Sequence, residues 1–329
     1  MKSRTRALGI TLSLLVVSLA ATATMYAAPI RVDCNRGGSI NNTLASLASA
    51  GNTRGVTIFV TGTCRENVVI TGFDRLVLQA SPIATLQDAS GGTAPVVQVS
   101  NSYDVRLSNF TINGGSHGVV CSSHSYCSVY SCTQQSAVKT GVVIGLGSEG
   151  HIEGNRLLNN GSRGLTVASG SNAETFSNTI TGNVELGVLL YAGGNLTAFF
   201  DIVQNNFIGI ALRGNATLTS YDLTIAGNSN DGVALDGAST ALFEQLVTGN
   251  TVTGNGGHGV AIDSLSWVEF ADTNNVSGNL TQPDVTCEGQ YSVAEGTGTI
   301  GGTTDCSGPQ KYQRHHLPQV EGDNLSKGR

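Results

Sequence analysis

The dominant pattern along the chain is a glycine followed by an apolar, a variable and a second apolar residue. It appears as Gly118-Val-Val-Cys121, Gly141-Val-Val-Ile144, Gly164-Leu-Thr-Val167, Gly187-Val-Leu-Leu190, Gly209-Ile-Ala-Leu212, Gly232-Val-Ala-Leu235 and Gly259-Val-Ala-Ile262. Successive glycines lie 23, 23, 23, 22, 23 and 27 residues apart. So steady a period means one structural unit stacked on itself. The alternation within each phrase is that of a strand, with the two apolar positions facing inward.

Upstream, short β runs occur at 56–60, 68–70, 76–78, 84–86, 96–99, 105–107 and 110–112, separated by Gly, Asn, Asp and Ser. Parallel strands normally need long crossovers. A coil of about 23 residues with three short strands avoids them by pairing each strand with its counterpart one turn later. Ile40, Leu44 and Leu47 fall at helical spacing and predict a short amphipathic helix covering the open end of the stack. Nineteen residues after four of the repeat glycines stand Asn160, Asn183, Asn206 and Asn228, with Asn250 one step early in the next coil. These predict a ladder of side-chain amides. The 27-residue interval contains an extra stretch at 248–257, expected as a loop on one flank.

The chain therefore divides into 1–28, 29–55, 56–280, 281–308 and 309–329. The first is a signal peptide, with Lys2, Arg4 and Arg6 before an apolar run from Ala7 to Ala20 and a small-x-small site at Ala21-Thr22-Ala23. An N-terminal cap, the solenoid, a disulfide-closed C-terminal cap and a disordered polar tail follow. The expected location is secreted, periplasmic or extracellular, with no membrane association after cleavage. Seven cysteines suit that compartment. Cys34 with Cys64 and Cys287 with Cys306 are the natural pairs at the two ends, whereas Cys121, Cys127 and Cys132 share one coil and leave one thiol over.

Composition sharpens this picture. Only 12% of residues are charged and 43 are glycine, which suits short strands and tight turns. A net charge of −6, with no basic residue between Arg213 and Lys311, argues against a nucleic-acid partner.

The 23-residue glycine phrase, the asparagine ladder, and the Val32-Asp-Cys34 helix cap followed by Gly62-Thr-Cys-Arg-Glu-Asn-Val68 resemble a secreted right-handed parallel β-helix of the pectin lyase-like superfamily. The resemblance covers roughly 30–308 and implies an all-β single-stranded solenoid of about ten coils. It also implies an extended polysaccharide or cell-surface glycan as partner. It does not choose among hydrolase, lyase, epimerase and non-enzymatic members.

The repeat also acts as a ruler, since residues at equal offset stack about 4.8 Å apart. The column before the glycine reads His117, Thr140, Arg163, Leu186, Ile208, Asp231 and His258. Asp231 and His258 are thus expected on neighbouring coils, a carboxylate beside an imidazole suited to acid/base work. Asn230-Asp231 and Gly257-His258-Gly259 resemble polygalacturonase signatures, but Asn230 replaces the first acid, Phe207-Ile208 stands where Asn-Thr-Asp would, and no Arg-Ile-Lys follows. Hydrolysis of that type uses paired carboxyl groups. The column four after the glycine reads Ser122, Gly145, Ala168, Tyr191, Arg213, Asp236 and Asp263. Asp236 and Asp263 would repel unless paired with Arg213 or bridged by calcium, as in a calcium-dependent lyase. The two columns are five residues apart, up to about 16 Å, and could bracket a groove. Tyr191 and Trp267 are the candidate sugar-stacking aromatics. The expectation is an exported β-helix that binds, and could act on, an extended polysaccharide. Its rival is a structural or adhesive cell-surface solenoid.

Overall fold

The computed structural model describes residues 30–289 and 291–306. The signal peptide and polar tail expected from the sequence lie outside them. Among the described residues no helix is long and apolar enough to cross a membrane. The chain winds into a right-handed parallel β-helix. One face is a ten-stranded parallel sheet running from Val68–Thr71 through Arg163–Ala168, Leu186–Tyr191 and Ile208–Arg213 to Val285–Cys287. This glycine sheet carries all seven phrases. The other two faces begin with Thr57–Arg65, Val77–Gln87 and Val105–Asn113, which run through the corner and join both faces into one 19-stranded sheet. In the regular coils that long strand splits in two, as in Asn172–Phe176 and Thr179–Thr181.

Register follows the ruler: Thr140 pairs with Arg163 and Ile144 with Val167. The two apolar positions of every phrase, Val119 and Cys121 through Val260 and Ile262, are buried in one continuous core. The phrase glycine sits where no side chain fits. A Cβ on Gly187 would lie 2.6 Å from the carbonyl oxygen of Gly209 and 2.9 Å from Nδ2 of Asn206. Contacts below 3 Å force a backbone shift, so glycine and asparagine ladders require each other.

In that ladder Asn183 accepts at Oδ1 from both the backbone N–H (3.1 Å) and Nδ2 (2.9 Å) of Asn160. The pattern repeats from Asn183 to Asn206, Asn228, Asn255 and Asn279, and closes on Asp284. The rung after Asn228 is Asn255 rather than Asn250. Asn250 belongs to a second column, in which Asn155, Asn178 and Asp201 are bonded in turn, Leu223 interrupts the side chains, and Asn250 accepts from the Leu223 N–H and donates to Asn274. The extra residues of the long coil lie earlier than the glycine-rich stretch suggested, between strands Thr240–Glu244 and Thr251–Thr253, so both asparagines follow them. The carboxylate of Asp222 holds that loop through the N–H groups of Val247 (2.8 Å), Thr248 (2.9 Å) and Gly249 (2.5 Å).

At the N-terminal end, helix Ile40–Ser49 buries Ile40 and Leu44. Its first turn is capped by Glu66, which accepts from the N–H groups of Ile40 (2.7 Å) and Asn41 (3.0 Å), while Ser39 accepts from Asn42. A carboxylate there also meets the positive end of the helix dipole. Cys34 is bonded to Cys64 and Cys287 to Cys306, as the sequence suggested, and Cys121 is bonded to Cys127. Cys132 is a buried free thiol, its pKa pushed up to about 12 by burial. The glycine phrase ends at Ile262, yet the coil continues: Val285–Cys287 pairs with Val260–Ile262 and Val293–Glu295 with Trp267–Phe270.

Replacing Asn183 with Ala orphans two donors of Asn160, at about 1–3 kcal/mol for each buried unsatisfied group. The expected outcome is a loss of about 2–6 kcal/mol in denaturant unfolding. Asp201 is the one acid among the interior rungs of the second ladder, and burial raises its pKa from 3.8 to about 6. The folded chain therefore holds an extra proton between those values, and stability falls as pH rises through that window. Asp201→Asn keeps the acceptor for Asn178 and should raise Tm at pH 7 relative to pH 4, read by thermal melts of both proteins across that range.

Candidate functional site

Within a phrase strand the outward positions are the residue before the glycine and those two and four after it. On three successive coils these are Arg163, Thr166 and Ala168, then Leu186, Leu189 and Tyr191, then Ile208, Ala211 and Arg213. Outward residues of a solenoid are normally wet. Here Leu186, Leu189, Ile208 and Ala211 are buried as a separate apolar cluster on the outer face, with Ala234 packed against it. One member of this cluster, Leu189, lines a cavity of about 480 Å³ together with Arg163, Tyr191, Ala192, Arg213 and Gly214. That volume is typical of small-ligand clefts.

The cavity runs diagonally, from Arg163 in the column before the glycine to Tyr191 and Arg213 in the column four after it. It thus joins the two columns read from the sequence, but on the Gly164, Gly187 and Gly209 coils rather than farther along. Tyr191 stacks in register between Ala168 and Arg213 and is 40% exposed. Arg213 is the register partner of Asp236, yet no ion pair joins them within 4 Å. Arg163 meets Glu185 at 3.8 Å through Nη2, and its Nε is buried without a hydrogen-bond partner. Thr166, 4% exposed, likewise has an unpartnered Oγ1.

The remaining sequence candidates lie elsewhere. Asp231 and His258 are on adjacent coils, but the contact is not carboxylate to imidazole. Asp231 Oδ1 accepts from the backbone N–H of His258 at 2.8 Å. The imidazole turns toward the C-terminal coil, where Nδ1 donates to the Pro283 carbonyl at 2.6 Å and Nε2 lies 3.6 Å from Glu288. This arrangement braces a turn. Asp236 and Asp263 are exposed, and Asp263 accepts from the N–H of Ser264 at 2.6 Å. Among the described residues no third His, Cys, Asp or Glu joins them as a cluster. Calcium takes six to eight oxygen ligands, so these two side chains alone do not fit it. Trp267 lies on a different face, between Thr240 and Val293, away from the cavity.

Arg163 was legible as a member of its column, but nothing along the chain announced that Leu189 would supply an apolar floor between it and Arg213. A further histidine belongs to this edge. His117, two coils before Arg163, has its pKa lowered by burial and then by the charges of Lys139 and Arg163. Its folded pKa lies below its unfolded value, so its contribution to stability is present above about pH 6.5 and is lost as pH falls below it. Melting curves between pH 7 and pH 5 should show a decline in Tm that is shallower in His117→Gln.

Comparison with known proteins places this geometry. The model of the right-handed β-helix region matches residues 40–208. No curated protein matches the chain. Among solved structures, the A-module of the mannuronan C-5 epimerase AlgE4 of Azotobacter vinelandii superposes with a TM-score of 0.59 at 15% identity, over 80% of this chain and 84% of that one. The corresponding A-module of AlgE6 from the same organism gives 0.58 at 14%, over 84% and 94%. A double mutant of the periplasmic alginate epimerase AlgG gives 0.56 at 13%, over 77% and 75%. At such identities the likeness is one of fold. Three faces around one apolar core, the stacked 23-residue register and the family match lead to one assignment: the chain belongs to the right-handed β-helix family.

Proposed function

We propose that this protein is an exported β-helix that binds an extended polysaccharide across the outer face of its glycine sheet, at the coils of Gly164, Gly187 and Gly209. The observation that carries the proposal is a cavity of about 480 Å³ whose apolar floor at Leu189, part of a buried cluster on the outer face, lies beside Tyr191 and between Arg163 and Arg213. A sugar ring has one or two C–H faces that pack on such a floor, while its hydroxyl groups meet a polar rim. Coil spacing of about 4.8 Å lets successive sugar units rest on successive coils. The named structural neighbours act on mannuronan and alginate, which supports a polysaccharide on this scaffold.

Binding is favoured over hydrolysis because no carboxylate lines the cavity, whereas glycoside hydrolysis ordinarily uses two. Three disulfides support export, since such bonds persist in oxidising compartments.

The test is binding of the purified protein to a polysaccharide panel by calorimetry, with reducing ends and unsaturated products followed in parallel. Tyr191→Ala is expected to weaken binding about tenfold, the scale of one lost aromatic contact. Asp231→Ala and Asp263→Ala, whose carboxylates hold turns, should leave affinity within twofold. Affinity insensitive to Tyr191→Ala but abolished by Asp231→Ala or Asp263→Ala would move the site to the distal coils.

A further inference from the structure

We infer that the C-terminal end of the solenoid is a docking surface for the chain's own segment Lys311–Leu317. The Tyr312 ring sits in the cavity beside Ile300, and Lys311 and Arg314 lie against Glu295 and the acidic coils around it. This surface is independent of the glycan groove. At the N-terminal end helix Ile40–Ser49 lays Ile40 and Leu44 over the first coil, and both are buried. At the other end, among the described residues, no helix covers the last coil. Strand Val293–Glu295 pairs with Trp267–Phe270 on one side and, among the described residues, with no strand on the other. The core reaches the surface there: Phe270 and Val285 are buried, whereas Ala294, Ile300 and Cys306 pack against the core and are only partly covered. A cavity of about 230 Å³ opens among these residues, with Glu295 in its wall. An apolar cavity of about 150 Å³ holds a benzene ring, so this one has room for an aromatic side chain. Solenoid ends and open sheet edges require covering, because they otherwise pair with the next strand or apolar surface they meet.

Charge decides the occupant. Between Gly214 and Cys306 the chain carries eleven acidic residues and no Lys or Arg. Glu295 is exposed and makes no ion pair among the described residues. A second copy meeting this end with its own would set like charges against each other, which is unfavourable. The next basic residues along the chain are Lys311 and Arg314, in Lys311-Tyr-Gln-Arg-His-His-Leu317. Residues 307–329 lie outside the described ones, yet they set out from the wall of this cavity, because Cys306 lines it and is fixed by its bond to Cys287. Six residues of extended chain span up to about 20 Å, so Tyr312 reaches the cavity with slack to spare. Tyrosine suits such a place, with an apolar ring to bury and a hydroxyl to leave at the wet rim. Lys311 and Arg314 flank it with the charge that the distal coils lack.

The experiment compares the full chain, a chain ending at Gly308, and full-length Tyr312→Ala and Tyr312→Phe. Hydrogen exchange in the full chain is expected to be at least tenfold slower at 311–317 than in the free peptide 309–320, and at least tenfold slower at 293–300 than in the shortened chain. Shortening should lower Tm by about 3–6 °C, the scale of one buried aromatic side chain in a domain of this size. Peptide 309–320, added at about millimolar concentration to match a short tether, should restore most of that loss. Glu295→Lys in the shortened chain should weaken the peptide about tenfold, and added salt should weaken it as well. Tyr312→Ala should speed exchange at 293–300 to the shortened chain's rate, while Tyr312→Phe keeps the protection. Polysaccharide binding at the groove should stay within twofold in every variant, so this inference and the binding reading fail separately. Unprotected exchange at 311–317, with 293–300 unchanged by shortening and by Tyr312→Ala, would overturn the inference. Concentration-dependent dimers of the full chain that protect 293–300 would also overturn it, by making a second copy the occupant.

Discussion

Everything in this molecule depends on a close approach between two ladders, the glycine that opens each phrase and the asparagine amide that faces it. The distances that exclude a Cβ at Gly187 are set by the carbonyl of Gly209 and the amide of Asn206. The same distances let Asn206 reach its partners: Nδ2 donates to the carbonyl oxygens of Ile180 and Gln204 while Oδ1 accepts from Asn183. A side chain at the glycine would push the strand outward and break the amide column. A missing amide would leave buried donors unpaired. Each ladder therefore enforces the other, coil after coil, and the 23-residue period is the outcome.

Once that lock is set, inside and outside are assigned for the whole glycine sheet. The inward positions must be apolar and they are, without exception across the seven phrases. The outward positions carry no such duty, and there the chain varies freely between His, Thr, Arg, Leu, Ile and Asp in a single column. Variation over a rigid scaffold is the usual place for recognition. The groove arises because three coils place Arg163, then Leu189 and Tyr191, then Arg213 at outward positions, over a buried apolar cluster of Leu186, Leu189, Ile208 and Ala211 from two of them. No lid or flexible segment is needed for it. A preformed surface of this kind keeps the entropic cost of binding low.

The distal coils show the opposite use of similar residues. Asp231 and His258 look like chemistry in the sequence because Asp and His are the usual acid and base. In the fold each is occupied with backbone, Asp231 with the N–H of His258 and His258 with the carbonyl of Pro283. The glycine on either side of His258 belongs to the repeat and the close packing around it. Stacking of Asp236 over Arg213 is real in register, yet register brings Cα atoms together and does not aim side chains.

By itself the sequence determined the fold, the hand-over of strands between coils, the inward column, the capping helix and the terminal disulfides. All but the disulfides follow from periodicity, which is a one-dimensional property, and the disulfides follow from where the cysteines fall along the chain. It placed Asn250 on the wrong ladder because counting from a glycine assumes the position of an insertion, and only the strand pairing located the extra residues before Asn250. It also named both ends of the groove, Arg163 and Arg213, without relating them. Their relation depends on side chains from three coils closing over a shared floor, leaving Arg163 Nε and Thr166 Oγ1 buried and unpartnered. Depth, burial and an unsatisfied hydrogen bond are properties of packing in three dimensions. Only the tertiary structure decides them.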